Sequence, residues 1–178
     1  DLLILTEADG SFRAKDVPKL LAYVESSAVV LGTRTTRQMV EQGANMGFAV
    51  RWANVAMAKI LEGLWFWPHE PRLTDVGCTY RAMSRSAWLR VRGGCREAGP
   101  SFSPEMICET YRHGLRVVEI PVHYFRRLGG HSKHAESFGK LAKMAAHMLR
   151  TILRKRLEAS PRVEPSLEPA AQPSEPRN

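Results

Sequence analysis

Two short apolar runs separated by a helical stripe constrain this chain more than anything else in it. Leu2 to Leu5 is uninterrupted and apolar, as buried parallel strands are. Behind it, Asp16 is placed to cap a helix whose Val17, Leu20, Leu21 and Val24 fall on one side. Ala28 to Leu31 is a second apolar run, closed by Gly32. Strand, helix and strand at this spacing predict a right-handed parallel crossover. In such sheets ligands gather beyond the carboxyl ends of the strands, where Glu7, Asp9 and Arg34 stand. At 178 residues the chain can bury one good core.

The remaining pattern extends an α/β reading. A long helix is expected over 45–64, with Val50, Ala53, Met57, Ile60, Leu61 and Leu64 inward. A strand is expected over 76–83, then a short helix capped by Ser84. Ser103-Pro104 reads as a helix start and Gly114 as its stop. Val118, Ile120, Val122 and Tyr124 alternate as in a strand, and Pro121 assigns that strand to a sheet edge. Over 136–158 a helix carries Phe138, Leu141, Ala145, Met148, Leu149 and Ile152 on one side, and Lys140, Lys143, His147, Arg150 and Arg154 on the other. This divides the chain into a truncated α/β domain (1–135), a basic amphipathic helix (136–158) and a Pro-rich tail expected to be disordered (159–178).

The formal net charge is +8, and it is concentrated. Eleven Lys or Arg lie between Arg112 and Arg156, against only Glu119 and Glu136. The partner implied is anionic: a phosphate, a nucleotide or a membrane surface. No aromatic stacking pattern accompanies the charge, which argues against nucleic acid. Cys78, Cys95 and Cys108 form no CxxC pair, so neither zinc nor a disulfide framework is expected. No apolar run reaches the roughly 20 residues of a membrane span. The chain has no initiator Met and begins almost inside a strand, which reads as a fragment lacking an N-terminal part.

Three stretches carry chemistry. In "LTEADGSF", the carboxylates of Glu7 and Asp9 stand one residue apart. Two such groups repel unless a cation compensates, and Mg2+ or Mn2+ takes oxygen ligands while sharing its other positions with water and phosphate. A solvated acidic turn is the alternative. In "VHYFRRLGGHSKH", paired glycines let the backbone close on a ligand, while Arg126, Arg127, Lys133 and Ser132 offer a diphosphate clamp. A basic surface loop is the alternative. In "LTDVGCTYRAM", Asp75 precedes the expected strand, with Arg81 upon it.

In order, these segments resemble the family-two glycosyltransferases with the GT-A fold, in the branch similar to dolichyl-phosphate mannose synthase and polyprenyl-phosphate glycosyltransferases. "LTEADGSF" resembles the acidic metal motif, although Glu7 stands where Asp is usual. "VVLGTR" resembles the next strand, "LTDVGCTYRAMSR" the Asp-Gly-aromatic-Arg segment, and "FSPEM" the acidic helix start. "VVEIPVHYFRRLGGHSK" resembles the strand with its R-x-x-G-x-S-K clamp.

The resemblance implies a partial GT-A, Rossmann-like mixed sheet flanked by helices, without the N-terminal half that holds the nucleotide. It implies Mg2+ or Mn2+ on Asp9 and Glu7. Arg126, Ser132 and Lys133 would hold the donor diphosphate, and Arg34 and Arg81 the acceptor. Asp75 would serve as a catalytic or orienting carboxylate beside Asp9. The activity implied is metal-dependent, inverting transfer from a nucleoside-diphosphate sugar to a polyprenyl phosphate, at the cytoplasmic face of an anionic membrane. The truncated chain itself would be inactive. Two other readings remain: transfer to a saccharide or other hydroxyl acceptor, and a non-catalytic basic module that binds membrane or nucleic acid.

Overall fold

The computed structural model describes residues 1–44, 46–66, 71–129 and 138–159, the side chain of Phe138 aside. Four strands are β1 (Leu2–Leu5), β2 (Val29–Thr33), β3 (Arg81–Ser84) and β4 (Val117–Pro121). Among the described residues the α-helices are α1 (Val17–Val24), α2 (Phe48–Leu64), α3 (Arg85–Val91), α4 (Phe102–Arg112) and α5 (Phe138–Leu157).

The strands form one mixed sheet in the order β1-β3-β2-β4. β3 is antiparallel to both neighbours, and β2 and β4 are parallel. The β1-α1-β2 unit is present, but its strands are not adjacent. β3 lies between them, with Leu31 and Leu5 both opposite Arg81. Hence β1 is an edge strand, with Leu2 and Ile4 exposed, whereas all of β2 is buried. β4 is the other edge, which accommodates Pro121.

Alternation along β2 divides the interior into two layers. Val29 and Leu31 pack with Ala58 and Leu61 of α2, Met106 and Ile107 of α4, and Met148 and Ile152 of α5. Val30 faces the opposite side with Leu20 of α1, Phe12, Ala82, Val122 and Tyr124. Gly32 belongs to this sheet for a steric reason: a Cβ there would stand 2.8 Å from the Tyr80 carbonyl oxygen.

Local signals act where they stand in the sequence. The Ser84 hydroxyl accepts a hydrogen bond from the Ala87 N–H at 3.1 Å and caps α3. Gly114 takes φ +65° directly after α4. Asp16 precedes α1 but does not cap it with its side chain. Its carboxylate instead accepts the His123 backbone N–H at 2.7 Å and pairs with Lys19 at 2.7 Å. The expected strand over 76–83 is confined to Arg81–Ser84, the preceding residues being loop. Of the tail expected over 159–178, all but Ala159 lies outside the described residues.

The apolar side of α5 is only partly spent inside the protein: Met148 and Ile152 are in the core, while Leu141, Ala145 and Leu149 are half-buried. Lys155 is buried with it, donating to the Gly94 carbonyl at 2.7 Å and pairing with Glu109 at 3.0 Å and Glu158 at 3.1 Å. Glu105 lies 3.4 Å from the same ammonium and receives Arg154 at 2.9 Å. These pairs hold α5 against α4. Among the described residues no helix is long and apolar enough to cross a membrane.

Candidate active site

The carboxyl end of β1 leads into the acidic turn. Gly10 takes φ +79° behind Asp9, a conformation that glycine adopts freely, and the chain reverses. The turn is held to the segment after β4. Phe125 donates its N–H to the Ser11 carbonyl at 2.9 Å, and Leu128 donates to the Asp9 carbonyl at 3.0 Å. This pairing carries Arg127 onto both carboxylates: Nη2 is 3.2 Å from Glu7 Oε2 and Nε is 2.8 Å from Asp9 Oδ2.

The two carboxylates differ. Glu7 also accepts the Thr79 hydroxyl at 3.0 Å, yet burial, with Asp9 beside it, raises its pKa. Burial opposes ionisation of Asp9 as well. There the hydrogen bonds from the Ser11 hydroxyl and from the Ser11 N–H at 2.9 Å prevail, with help from Arg127, and lower the pKa. Asp9 Oδ2 is buried and makes no hydrogen bond, although Arg127 Nε stands 2.8 Å from it as an ion pair.

A second ion pair stands at the end of β2. Arg34 grips Asp75 with Nε on Oδ2 at 2.8 Å and Nη2 on Oδ1 at 2.9 Å, and its backbone N–H adds a bond at 3.0 Å. Burial penalises the Asp75 charge, but Arg34 outweighs it and depresses the carboxyl pKa. The loop carrying Asp75 is fixed by Glu119 of β4, which accepts the N–H groups of Thr74 at 2.8 Å and Asp75 at 2.9 Å. Burial in turn raises the Glu119 pKa.

Glu7, Arg34, Thr79, Tyr124 and Arg127 line a cavity of about 360 Å³. Val50, Ala53 and Met57 of α2 and Leu141, Met144 and Met148 of α5 supply an apolar wall. Asn54 adds an amide, and Gly77 is confined beside it, since a Cβ would meet Asn54 Oδ1 at 2.5 Å and Arg34 Nη2 at 3.1 Å.

The residues singled out from sequence are therefore distributed unevenly. Glu7 and Arg34 reach the cavity, and Asp9 and Asp75 hold the two arginines that line it. Arg81 does not line it. It is fully buried under the sheet, donating to the Cys78 carbonyl and to the Ser103 carbonyl at 3.3 Å, and burial lowers its pKa to about 10. Arg126 is exposed, its backbone N–H bound to Glu41 at 2.6 Å. Its neighbour Arg127, the arginine that starts the R-x-x-G-x-S-K spacing, is the one that enters the site. Ser132 and Lys133 lie outside the described residues. Thr79, Tyr124, Asn54 and Glu119 were not selected from sequence. Tyr124 alone had a local signal, the alternation of its strand.

Among the described residues no group of three or more His, Cys, Asp and Glu side chains is arranged around one point to hold a metal. Mg2+ is commonly bound by one or two carboxylates together with substrate phosphates. Glu7 and Asp9 fit that pattern, Asp9 Oδ2 being buried without a hydrogen bond and paired only by charge with Arg127.

No family model matches the chain. An undecaprenyl-phosphate mannosyltransferase from Micrococcus luteus is 31% identical over 137 residues, which cover 75% of this chain and 53% of that protein. The chain thus spans about half the length of this relative. The crystal structure of glucosyl-3-phosphoglycerate synthase from Mycobacterium tuberculosis, in complex with phosphoglyceric acid, has a TM-score of 0.58 at 15% identity. The match covers 87% of this chain and 49% of that one. In sequence the chain is similar to that mannosyltransferase and in fold to that synthase, a likeness that supports the family-two glycosyltransferase resemblance.

Proposed function

We propose that the protein takes part in sugar transfer from a nucleoside-diphosphate donor to a polyprenyl phosphate. The observation that carries this reading is the mixed lining of the cavity. Glu7, Arg34 and Arg127 line it together with apolar side chains of α2 and α5, and Asp9 holds Arg127. A phosphorylated lipid likewise joins an anionic group to an apolar chain. The Micrococcus relative's name supports the acceptor class.

In this reading an acceptor phosphate oxygen forms the new bond to the anomeric carbon from the face opposite the diphosphate. The old carbon–oxygen bond breaks, its electron pair leaves with the nucleoside diphosphate, and the configuration inverts. The acceptor phosphate is already ionised at neutral pH, so no proton has to be removed. This agrees with the state of Asp75, whose oxygens are engaged by Arg34 and whose pKa is depressed. Asp75 then positions Arg34 for a phosphate. A hydroxyl acceptor would need a free base, and this favours the lipid phosphate over a saccharide.

Arg127, rather than Arg126, joins Ser132 and Lys133 on the leaving diphosphate, where preorganised positive charge lowers the barrier. A divalent ion on Asp9 and Glu7 would supply further neutralisation of that leaving group. Exposed Phe48 (73%) and Trp52 (54%) stand on the α2 turns that also wall the cavity with Val50 and Ala53. Aromatic side chains of this kind suit a membrane interface, here the cytoplasmic face.

The test uses a chimera in which this chain replaces the aligned part of the Micrococcus protein. With radiolabelled donor and polyprenyl phosphate, label should move into the organic phase. Transfer only to water-soluble saccharides would overturn the lipid acceptor, and no transfer to any acceptor would overturn the enzyme reading.

A further inference from the structure

Glu7 and Asp9 already hold a cation, and it belongs to the chain. The guanidinium of Arg127 spans both carboxylates, 3.2 Å from Glu7 Oε2 and 2.8 Å from Asp9 Oδ2. The grip is imperfect. Arg127 Nε and Asp9 Oδ2 are both buried, but neither makes an aligned hydrogen bond. The backbone on either side is fixed, with Phe125 bonded to Ser11 and Leu128 to Asp9. The flexible side chain can therefore exchange partners while its root stays in place.

A divalent ion and a guanidinium cannot occupy the same carboxylate oxygens without repelling each other. A diphosphate offers Arg127 a better partner, since planar guanidinium grips phosphate bidentately. Arg127 lines the cavity and is within reach of such a ligand.

We propose that Arg127 is a resident counter-cation of the Glu7–Asp9 pair, which a diphosphate draws off so that a divalent ion can bind. Metal and diphosphate then bind with positive coupling, and the coupling is reciprocal. The inference rests on the metal assigned above to Asp9 and Glu7, and adds that an arginine guards that site.

The test is titration of the 178-residue chain with Mn2+ alone, followed by water-proton relaxation, and separately with inorganic pyrophosphate alone. Arg127→Met should bind Mn2+ about tenfold more tightly than the native chain, within the range of coupling factors between sites. The same variant should bind pyrophosphate more weakly. Arg127→Lys keeps the charge and should stay near the native Mn2+ affinity. Adding Asp9→Asn to Arg127→Met should abolish the gain, and circular dichroism checks that each variant is folded.

Opposite movement of the two affinities is the signature, because a merely structural arginine would weaken both. Equal or weaker Mn2+ binding by Arg127→Met overturns the exchange, as does a gain that survives Asp9→Asn. If Arg127→Met does not fold, Arg127→Gln is titrated by the same criteria. Absence of Mn2+ binding from every form overturns the exchange and removes the metal from the proposed function. Sugar transfer by the chimera is a separate readout, and its failure would leave an observed exchange standing.

Discussion

Arg34 lies edge-on along Asp75, its Nε 2.8 Å from one carboxylate oxygen and its Nη2 2.9 Å from the other, both side chains almost wholly buried. Removing one partner of a buried pair leaves a charge without compensation and costs about 3–5 kcal/mol. Asp75→Asn should destabilise by that order at pH 7. The pH dependence has a definite sign. The Asp75 pKa is depressed below 3.8 in the fold. Its stabilisation is therefore present above the unfolded value and lost as pH falls through the folded one. Thermal unfolding from pH 7 to pH 2 should show the gap between native and variant Tm closing in the acid range. A gap that widened there would contradict the pairing.

Lys155 ties α5 to α4 through Glu109 and Glu158, with Glu105 close by. Lys155→Met keeps the packing volume but leaves these carboxylates together without their ammonium. Urea denaturation should show a loss of about 3–5 kcal/mol. Because α5 forms part of the cavity wall, pyrophosphate affinity should fall as well.

Gly32→Ala tests the sheet. The added methyl would stand 2.8 Å from a backbone oxygen and 3.0 Å from a Val122 methyl. Overpacking of this kind costs about 1–3 kcal/mol, measurable as a lower urea midpoint with an unchanged slope.

Phe48 and Trp52 make little of the fold, their ring centroids 6.0 Å apart on the surface. The double change Phe48→Ser, Trp52→Ser should leave Tm nearly unchanged and reduce sedimentation with vesicles containing phosphatidylglycerol. Undiminished sedimentation would remove these residues from the membrane account.

Legibility followed the range of the interaction. Ser84, Gly114 and most of the stripes of α1, α2 and α5 act within a few residues, so they could be placed from sequence, but Leu21 and Ile60, expected inward, are exposed. The position of β3 between β1 and β2 could not, because the apolar runs that reveal strands do not encode which strands are neighbours. Arg126 and Arg127 show the same limit at the site. Their composition is identical, and only the pairing of Phe125 with Ser11 and Leu128 with Asp9 selects which side chain meets the carboxylates. Glu119 looked like an isolated acid in a basic segment. Its function, holding Thr74 and Asp75, depends on contacts 44 and 45 residues away.

The central claim is that Asp9 and Arg127 share one diphosphate, the carboxylate through a metal ion and the guanidinium directly. Calorimetric titration with Mn2+-pyrophosphate tests it without requiring the nucleotide base or the sugar to be known. Binding that is lost in Asp9→Asn, in a chain that still unfolds cooperatively, is the predicted result. Binding of equal affinity in Asp9→Asn and the native chain would contradict it.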